Sequence, residues 1–211
     1  MKEIRCTLLT DGSSDRALLP ILSWLLYEHC PEYAVQPEWA DLSRLPAKPK
    51  KLSERIRYSV DLYPCDLLFV HRDTEKMSWE TRAEEIRQAL NGMEHPPAVC
   101  VIPVRMHEAW LLHDEQAIRK AAGNPNGEEP LELPVANRVE ALPNPKKNLH
   151  DALLAASGKS GKRRKKMLNV NKLACRITEL TESFAALRSL SAFRNFEDDL
   201  LKVLREQQWN I

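Results

Sequence analysis

The chain has 211 residues, of which 43% are hydrophobic and 29% charged, and its formal net charge is only +1. This composition is enough for the core of one medium domain, or of a domain with an extension. With so little net charge, a site for nucleic acid would have to be a local basic patch. The five cysteines include no CxxC pair, which argues against a cysteine zinc site or a disulfide framework. No signal-like stretch opens the chain and no apolar run is long enough for a bilayer, so we expect a reduced, cytoplasmic protein without membrane contact.

Strands and helices are predicted to alternate through the first 125 residues. Strands are predicted at 4–10, 65–70 and 98–104, a loop or an edge strand around 34–36, and helices at 14–29, 52–63, 79–93, 106–113 and 114–123. This alternation is typical of an α/β fold with a mostly parallel sheet flanked by helices. In such open sheets, ligands bind at the edge formed by the carboxyl ends of the strands.

The pattern becomes helical beyond a polar, proline-containing loop at 124–130. Helices are predicted at 148–156, 171–182 and 191–207. We therefore predict an α/β core at 1–125 and a helical C-terminal extension at 126–211 that packs on this core. Side-chain or glycine caps are predicted at Ser13 or Ser14, Ser78, Asp114, Gly123 and Ser191.

Acidic residues follow each of the three main predicted strands. Asp11 follows the first strand, Asp73 and Glu75 follow the second, and Glu108 follows the third. Because residues i and i+2 of an extended segment face the same way, Asp73 and Glu75 could reach one ion. Carboxylates gathered in one place repel one another unless they share a cation, and oxygen ligands suit Mg²⁺ or Mn²⁺. The sequence therefore predicts a magnesium or manganese site formed by these four acids.

The same residues are also compatible with purely structural roles. The 73–75 segment could be a solvated loop, and Glu108 could pair with Arg105 or Arg72. The His-Arg-Asp string ending at Asp73 resembles the protein-kinase catalytic loop, but the asparagine that kinases need five residues later is absent.

Two further features lie at the predicted edge. Gly12, Ser13 and Ser14 form a strand-to-helix turn that could bind a phosphate, or could simply be an ordinary turn with a good cap. His71 and His107 flank the acidic residues on either side. We treat them as secondary, since a lone histidine is more often structural and neither completes a Ser-His-Asp arrangement.

The strongest local charge is a basic run in the C-terminal half. It spans residues 159–166 and is densest at Lys162, Arg163, Arg164, Lys165 and Lys166, to which Lys146 and Lys147 could add. Such density favours contact with a nucleic-acid backbone, although a solvated linker would have the same composition. No aromatic residues are interleaved with the run, so base stacking is not indicated there.

These residues resemble motifs of the Toprim superfamily, which includes topoisomerases, bacterial primases and the overcoming-lysogenization-defect nucleases. The turn from Asp11 to Asp15 resembles the family's Glu-Gly-x-x-Asp-like turn, and Asp73-Thr74-Glu75 resembles its Asp-x-Asp pair. Two positions depart from the family pattern: Asp11 stands where glutamate is usual, and Glu75 stands where the second aspartate is usual. The stretches 104–114, 144–149 and 191–196 more narrowly resemble a Toprim-like family often encoded beside AAA-type ATPases in bacterial defence loci.

The resemblance implies a Toprim-like, Rossmann-like fold and a Mg²⁺- or Mn²⁺-dependent nuclease acting on DNA or RNA. It implies the effector of an anti-phage defence system with a partner ATPase. Asp11 would act as acid, base or metal ligand, Asp73 and Glu75 would hold the metal, and Glu108 and Lys146 or Lys147 would add a ligand and a phosphate contact. The altered acidic pattern leaves open a non-catalytic subunit that docks an ATPase or senses a nucleotide, and a phosphohydrolase of small nucleotides. A homo-oligomer is also left open.

Overall fold

A single four-stranded sheet forms the centre of the computed structural model, which describes residues 2–158 and 169–209. The strands are β1 (Lys2–Leu9), β2 (Tyr33–Trp39), β3 (Leu67–His71) and β4 (Ala98–Val101). Their order is β2-β1-β3-β4 and every neighbouring pair is parallel. The predicted α/β fold with a parallel sheet is confirmed, and the uncertain stretch around residue 35 is an edge strand.

Seven α-helices flank the sheet within the described residues. They are α1 (Leu19–His29), α2 (Leu52–Leu62), α3 (Trp79–Leu90), α4 (Glu115–Ala121), α5 (Pro145–Ala156), α6 (Val170–Leu180) and α7 (Ser191–Glu206). Shorter 3₁₀-helices occupy Ser13–Leu18, Leu42–Arg44, His107–Leu111, Ala136–Ala141 and Ala185–Ser189. The first predicted helix thus begins as a 3₁₀-helix, and Pro20 falls in the first turn of α1, where its missing N–H needs no partner. None of the described helices has the length and apolar character needed to cross a bilayer.

The centre of the sheet is buried on both faces, as is usual for a parallel sheet, whereas the edge strand β2 is only partly buried. All five residues of β3 are buried. On one face, Phe69 packs in a cluster with Trp110 and Phe196, and on the other, Val70 packs with Ile56 of α2. The first cluster contains residues from both sides of position 125, and α7 packs against β4. The division into 1–125 and 126–211 stays a prediction.

The predicted cap residues are found at some helix ends, and other residues cap the rest. Ser78 and Asp114 accept the backbone N–H groups expected of N-caps, and Gly123 adopts a positive φ of 76° after α4. Neither serine after β1 caps the first helix, because both lie inside the 3₁₀-helix that begins at Ser13 and has Gly12 as its N-cap; the N–H of Gly12 is bound by the carboxylate of Asp15. Ser191 is also not the cap that was predicted, because it is already the first residue of α7.

The N-terminus of α7 is capped from a distance by Glu140. Its carboxylate accepts hydrogen bonds from the backbone N–H groups of Ser191 and Ala192 and from the Ser191 hydroxyl, at 3.1, 2.8 and 2.6 Å. We expect Glu140→Ala to lower the free energy of unfolding by about 1–2 kcal/mol, the usual cost of a lost N-cap. Urea unfolding measures this loss, with Glu132→Ala as an exposed acidic control. Equal losses in the two variants would contradict the capping role.

The strand order has its reversal point between β1 and β3. The chain passes from β1 outward to β2, and from β3 outward to β4 on the opposite side. The strand order therefore reverses between β1 and β3, and in open α/β sheets the crevice outside the strand ends at such a point is where ligands bind. Side chains that follow these two strands, and those that follow the adjacent β4, lie at this edge.

Candidate metal centre

Three elements at the carboxyl edge of the sheet supply the polar residues of the site. His71 is the last residue of β3, and Asp73 follows it by two positions. His107 begins the 3₁₀-helix that follows β4, and Asp15 belongs to the 3₁₀-helix that follows β1. The sheet thus brings together residues that are far apart in the chain.

His71, Asp73 and His107 form the centre of the site. One nitrogen or oxygen atom from each lies within 4.8 Å of the others. Asp73 Oδ1 lies 3.2 Å from His71 Nε2, and it accepts a hydrogen bond of 2.9 Å from the backbone N–H of His107. The two imidazole rings are nearly perpendicular, with centroids 6.1 Å apart. Both histidines are buried, whereas the Asp73 side chain is 23% exposed, so the group opens to solvent on the aspartate side.

Asp15 lies against both imidazoles. Its Oδ1 is 3.2 Å from His107 Nδ1, and its Oδ2 is 3.6 Å from His71 Nδ1. The same carboxylate accepts the backbone N–H of Gly12 at 2.9 Å and the hydroxyl of Ser14 at 3.0 Å. Asp15 is therefore held in place on one side and faces the histidines on the other, as carboxylates behind metal-binding histidines do.

The imidazole nitrogens make poor hydrogen bonds. Among the described residues, all four ring nitrogens of His71 and His107 are buried and lack a hydrogen bond of ordinary angular geometry, although carboxylate oxygens lie 3.2–3.6 Å from three of them. Buried polar atoms without partners are costly and are rare in folded proteins. A cation held between the rings would give such nitrogens a partner. The donor set fits a divalent metal ion on this ground.

Glu108 and Lys146 lie at the rim of this group. The Glu108 side chain is only 4% exposed, and its Oε2 is 3.6 Å from His107 Nδ1. Its Oε1 is 3.2 Å from Lys146 Nζ, so its ion-pair partner is this lysine and not the arginines considered from the sequence. Lys147 points elsewhere and pairs with Asp151 at 2.6 Å. The predicted metal ligand Glu108 thus touches the group through His107.

The charges of this group do not balance when the histidines are neutral. Asp15, Asp73 and Glu108 bring three negative charges, against one positive charge on Lys146. Two protons on the imidazoles, or one divalent cation, would balance the remainder. Burial disfavours the protonated form of His71, but the neighbouring carboxylates of Asp73 and Asp15 outweigh it and raise the pKa of His71. The contact with His71 likewise lowers the pKa of Asp73 against the effect of its own burial.

Asp11 and Glu75 lie in arginine pairs and not beside the histidines. Asp11 Oδ1 accepts hydrogen bonds from Arg55 at 2.5 Å and from Arg72 at 3.3 Å. The Glu75 side chain is 67% exposed, and its Oε2 is 3.4 Å from Arg82. The argument from an extended segment does not apply to Glu75, because this residue has a φ of +53° and the chain turns there. Of the four acids predicted to share an ion, the described contacts bring Asp73 into the group and Glu108 to its edge, while Asp11 and Glu75 pair with arginines.

The predicted phosphate and nucleic-acid residues have mixed positions. Gly12 and Ser14 use their N–H and O–H groups on Asp15, while Gly12 and Ser13 line a cavity beside the metal centre. The basic run lies outside the described residues, so its role stays a prediction for Lys162, Arg163, Arg164, Lys165 and Lys166.

Asp15 is the member of this group that the sequence does not single out. In the sequence it stands in the turn after β1, only as the end of a motif and as an acid suited to a helix N-terminus. The two histidines flank the acidic residues in the sequence, and the positions of His71 at the end of β3 and of His107 in the segment after β4 are the signal that they meet.

Comparison with known proteins adds nothing to this geometry. No protein-family model matches the chain, and neither a curated protein nor a solved structure does.

Proposed function

We propose that the chain is a Toprim-like, metal-dependent phosphodiesterase that cuts DNA or RNA. The observation that carries the proposal is the buried group of His71, Asp73 and His107 at the reversal point of a parallel sheet. A surplus of negative charge around imidazoles without hydrogen bonds favours a divalent cation there. We further propose a cytoplasmic effector of anti-phage defence that works with an AAA-type ATPase, a role that rests on the sequence resemblance alone.

The donor set favours some ions over others. Two imidazoles and one carboxylate suit first-row transition ions, whereas Mg²⁺ prefers oxygen ligands and retains several waters. Of the two ions predicted from the sequence, Mn²⁺ therefore fits this set better than Mg²⁺. Zn²⁺ is a further candidate, since two histidines and one carboxylate are a known set for catalytic zinc.

The surrounding residues have roles that follow from their contacts. When bound, the ion would supply a nucleophilic water and stabilise negative charge on the phosphate. Asp15 would hold both imidazole rings in orientation from behind. Lys146, whose side chain is 46% exposed, reaches the rim from α5 and could contact a substrate phosphate, as predicted from the sequence.

Cleavage assays on matched variants test the proposal. We expect the rate of Mn²⁺- or Mg²⁺-dependent cleavage of DNA or RNA to fall by at least about a hundredfold in Asp73→Ala. This is the usual effect of removing one group that stabilises charge in an active site. Glu75→Ala is the matched control, because Glu75 lies two residues away and, among the described residues, its side chain pairs with Arg82. Its rate should stay within about threefold of the parent, a change smaller than 1 kcal/mol in the barrier. Equal rates for the parent and the Asp73 variant would overturn the mechanism.

A second candidate is a non-catalytic subunit that docks an ATPase or senses a nucleotide. The observation in its favour is that Asp11, the first acid of the Toprim-like pattern, pairs with two arginines and not with the histidines. Metal binding with no cleavage under Mn²⁺, Mg²⁺ or Zn²⁺, together with co-purification of an ATPase, would favour this candidate. Hydrolysis of small nucleotides but not of polymers would instead identify a phosphohydrolase.

A further inference from the structure

A cavity of about 380 Å³ lies beside the metal centre, at the carboxyl ends of β1 and β2. Its size is at the lower end of the range for small-molecule sites. Gly12 lines the cavity, and the N–H of this residue is bound by Asp15, which faces both histidines. The cavity and the metal centre therefore share one wall.

Trp39 gives the cavity an aromatic wall. It is the last residue of β2, and its indole N–H donates a hydrogen bond of 2.9 Å to Thr10 Oγ1. The Thr10 hydroxyl in turn donates to the carbonyl oxygen of Gly12 at 2.8 Å. This chain of bonds fixes the orientation of the ring, which is half-buried and borders the cavity. A fixed aromatic ring at a cavity is a stacking platform for a planar group such as a nucleobase.

Two lysines give the cavity a positive surplus. Asp11 at its border is neutralised by Arg55, and Asp41 accepts hydrogen bonds from Ser43 and pairs with Arg44 at 3.7 Å. Lys48 and Lys50 also line the cavity and are exposed. Neither lysine has a hydrogen bond or an ion pair from its side chain within residues 2–158 and 169–209. Unpaired ammonium groups beside an aromatic wall suit a ligand that carries both a base and a phosphate.

We propose that this cavity holds one nucleotide unit, with the base against Trp39 and the phosphate at Lys48 and Lys50. Together with the proposed function, this inference has a consequence: the substrate strand is single-stranded at the site. Only this consequence rests on the proposed function. A base stacked within a duplex cannot present its face to a tryptophan. A free nucleotide has the same chemistry as one unit of a strand, and the experiment must distinguish the two sources.

Binding is measured in EDTA, so that it does not depend on the metal centre. Fluorescence anisotropy follows a labelled 12-nucleotide single strand and a duplex of the same sequence, and calorimetry follows nucleoside monophosphates. We expect the parent to prefer the single strand and Trp39→Ala to weaken binding by about tenfold or more, the effect of one lost stacking contact. Trp39→Phe keeps an aromatic face and should retain most of the affinity, and circular dichroism confirms that both variants fold.

The lysines are tested by the salt dependence of the same binding. The double variant Lys48→Ala/Lys50→Ala should reduce the slope of log affinity against log salt by about 1.4, or about 0.7 for each lost phosphate contact with a single strand. The control is Lys120→Ala/Lys172→Ala, which removes two exposed lysines that do not line the cavity. The control should leave the slope unchanged.

The outcomes separate this inference from the proposed function. Loss of binding in the Trp39→Ala and lysine variants, with retention in His107→Ala, supports the cavity whether or not any variant cleaves. Trp39-dependent binding of monophosphates alone also supports it and identifies the free nucleotide as the source. Parent-like affinity in both Trp39→Ala and the Lys48/Lys50 variant would overturn the inference, even if metal-dependent cleavage were observed.

Discussion

His107→Ala should remove high-affinity binding of a divalent metal. His107 brings a buried imidazole to the group, and no other described residue offers a replacement nitrogen beside His71 and Asp73. The affinity for the metal should fall by more than the roughly 10–100-fold that is lost when a residue hydrogen-bonded to a metal ligand is removed. Calorimetric titration of EDTA-treated protein with Mn²⁺ and with Zn²⁺ measures the change.

Thermal unfolding gives a second readout of the same variant. At a metal concentration about 100 times the dissociation constant, binding should stabilise the parent by about 2.7 kcal/mol, and this gain should be absent from His107→Ala. His107→Gln is a second variant that is less prone to misfold, because the glutamine side chain fills more of the space left by the imidazole ring than alanine does. His95→Ala is the control, since His95 is exposed and the hydrogen bond that its ring makes within the described residues is with the carbonyl oxygen of Pro96. Undiminished affinity in a folded His107 variant would show that the ion binds elsewhere.

Phe196→Ala should destabilise the whole fold by about 3–5 kcal/mol, the usual cost of truncating a buried aromatic side chain. Phe196 of α7 stacks on Trp110 at 6.0 Å and meets Phe69 of β3 edge to face at 6.1 Å. Truncation would remove these two contacts and a third, edge to face with Phe193 at 5.8 Å, and would leave a cavity between the sheet and the C-terminal helices. Urea unfolding measures the loss.

The same experiment tests whether the C-terminal helices belong to one cooperative unit. Because Phe196 joins α7 to the sheet, the variant should still unfold in a single transition, at a lower urea concentration. Tyr27→Ala is the control, since Tyr27 is 70% exposed and its loss should cost little. A loss below about 1 kcal/mol, or two separate transitions, would contradict a core shared by the sheet and α7.

The elements of the sheet were predictable because their signals are local. The apolar run from Leu67 to Val70 predicted β3, and helical spacing predicted α2 and α3 to within a few residues. The caps at Ser78 and Asp114 were predictable for the same reason, since a cap acts on the following turn. The cap of α7 was not, because Glu140 reaches it from another segment of the chain.

The site was only partly predictable, because long-range pairing decides it. Reasoning from strand ends placed Asp73 at the correct edge, yet it could not show that Arg55 of α2 and Arg72 lie against Asp11. The left-handed backbone at Glu75 also has no clear signal in the residue type. Asp15 shares its motif with Asp11, and only the packing of the 3₁₀-helix determines which of the two carboxylates meets the histidines.

The most direct test of the metal centre is a crystal of the full chain soaked in Mn²⁺ and examined for anomalous scattering. The geometry predicts one strong peak within bonding distance of the His71 and His107 rings and of the Asp73 carboxylate. A peak between Asp11 and Glu75, or no peak beside the two histidines at saturating Mn²⁺, would contradict the metal centre and the phosphodiesterase proposed from it.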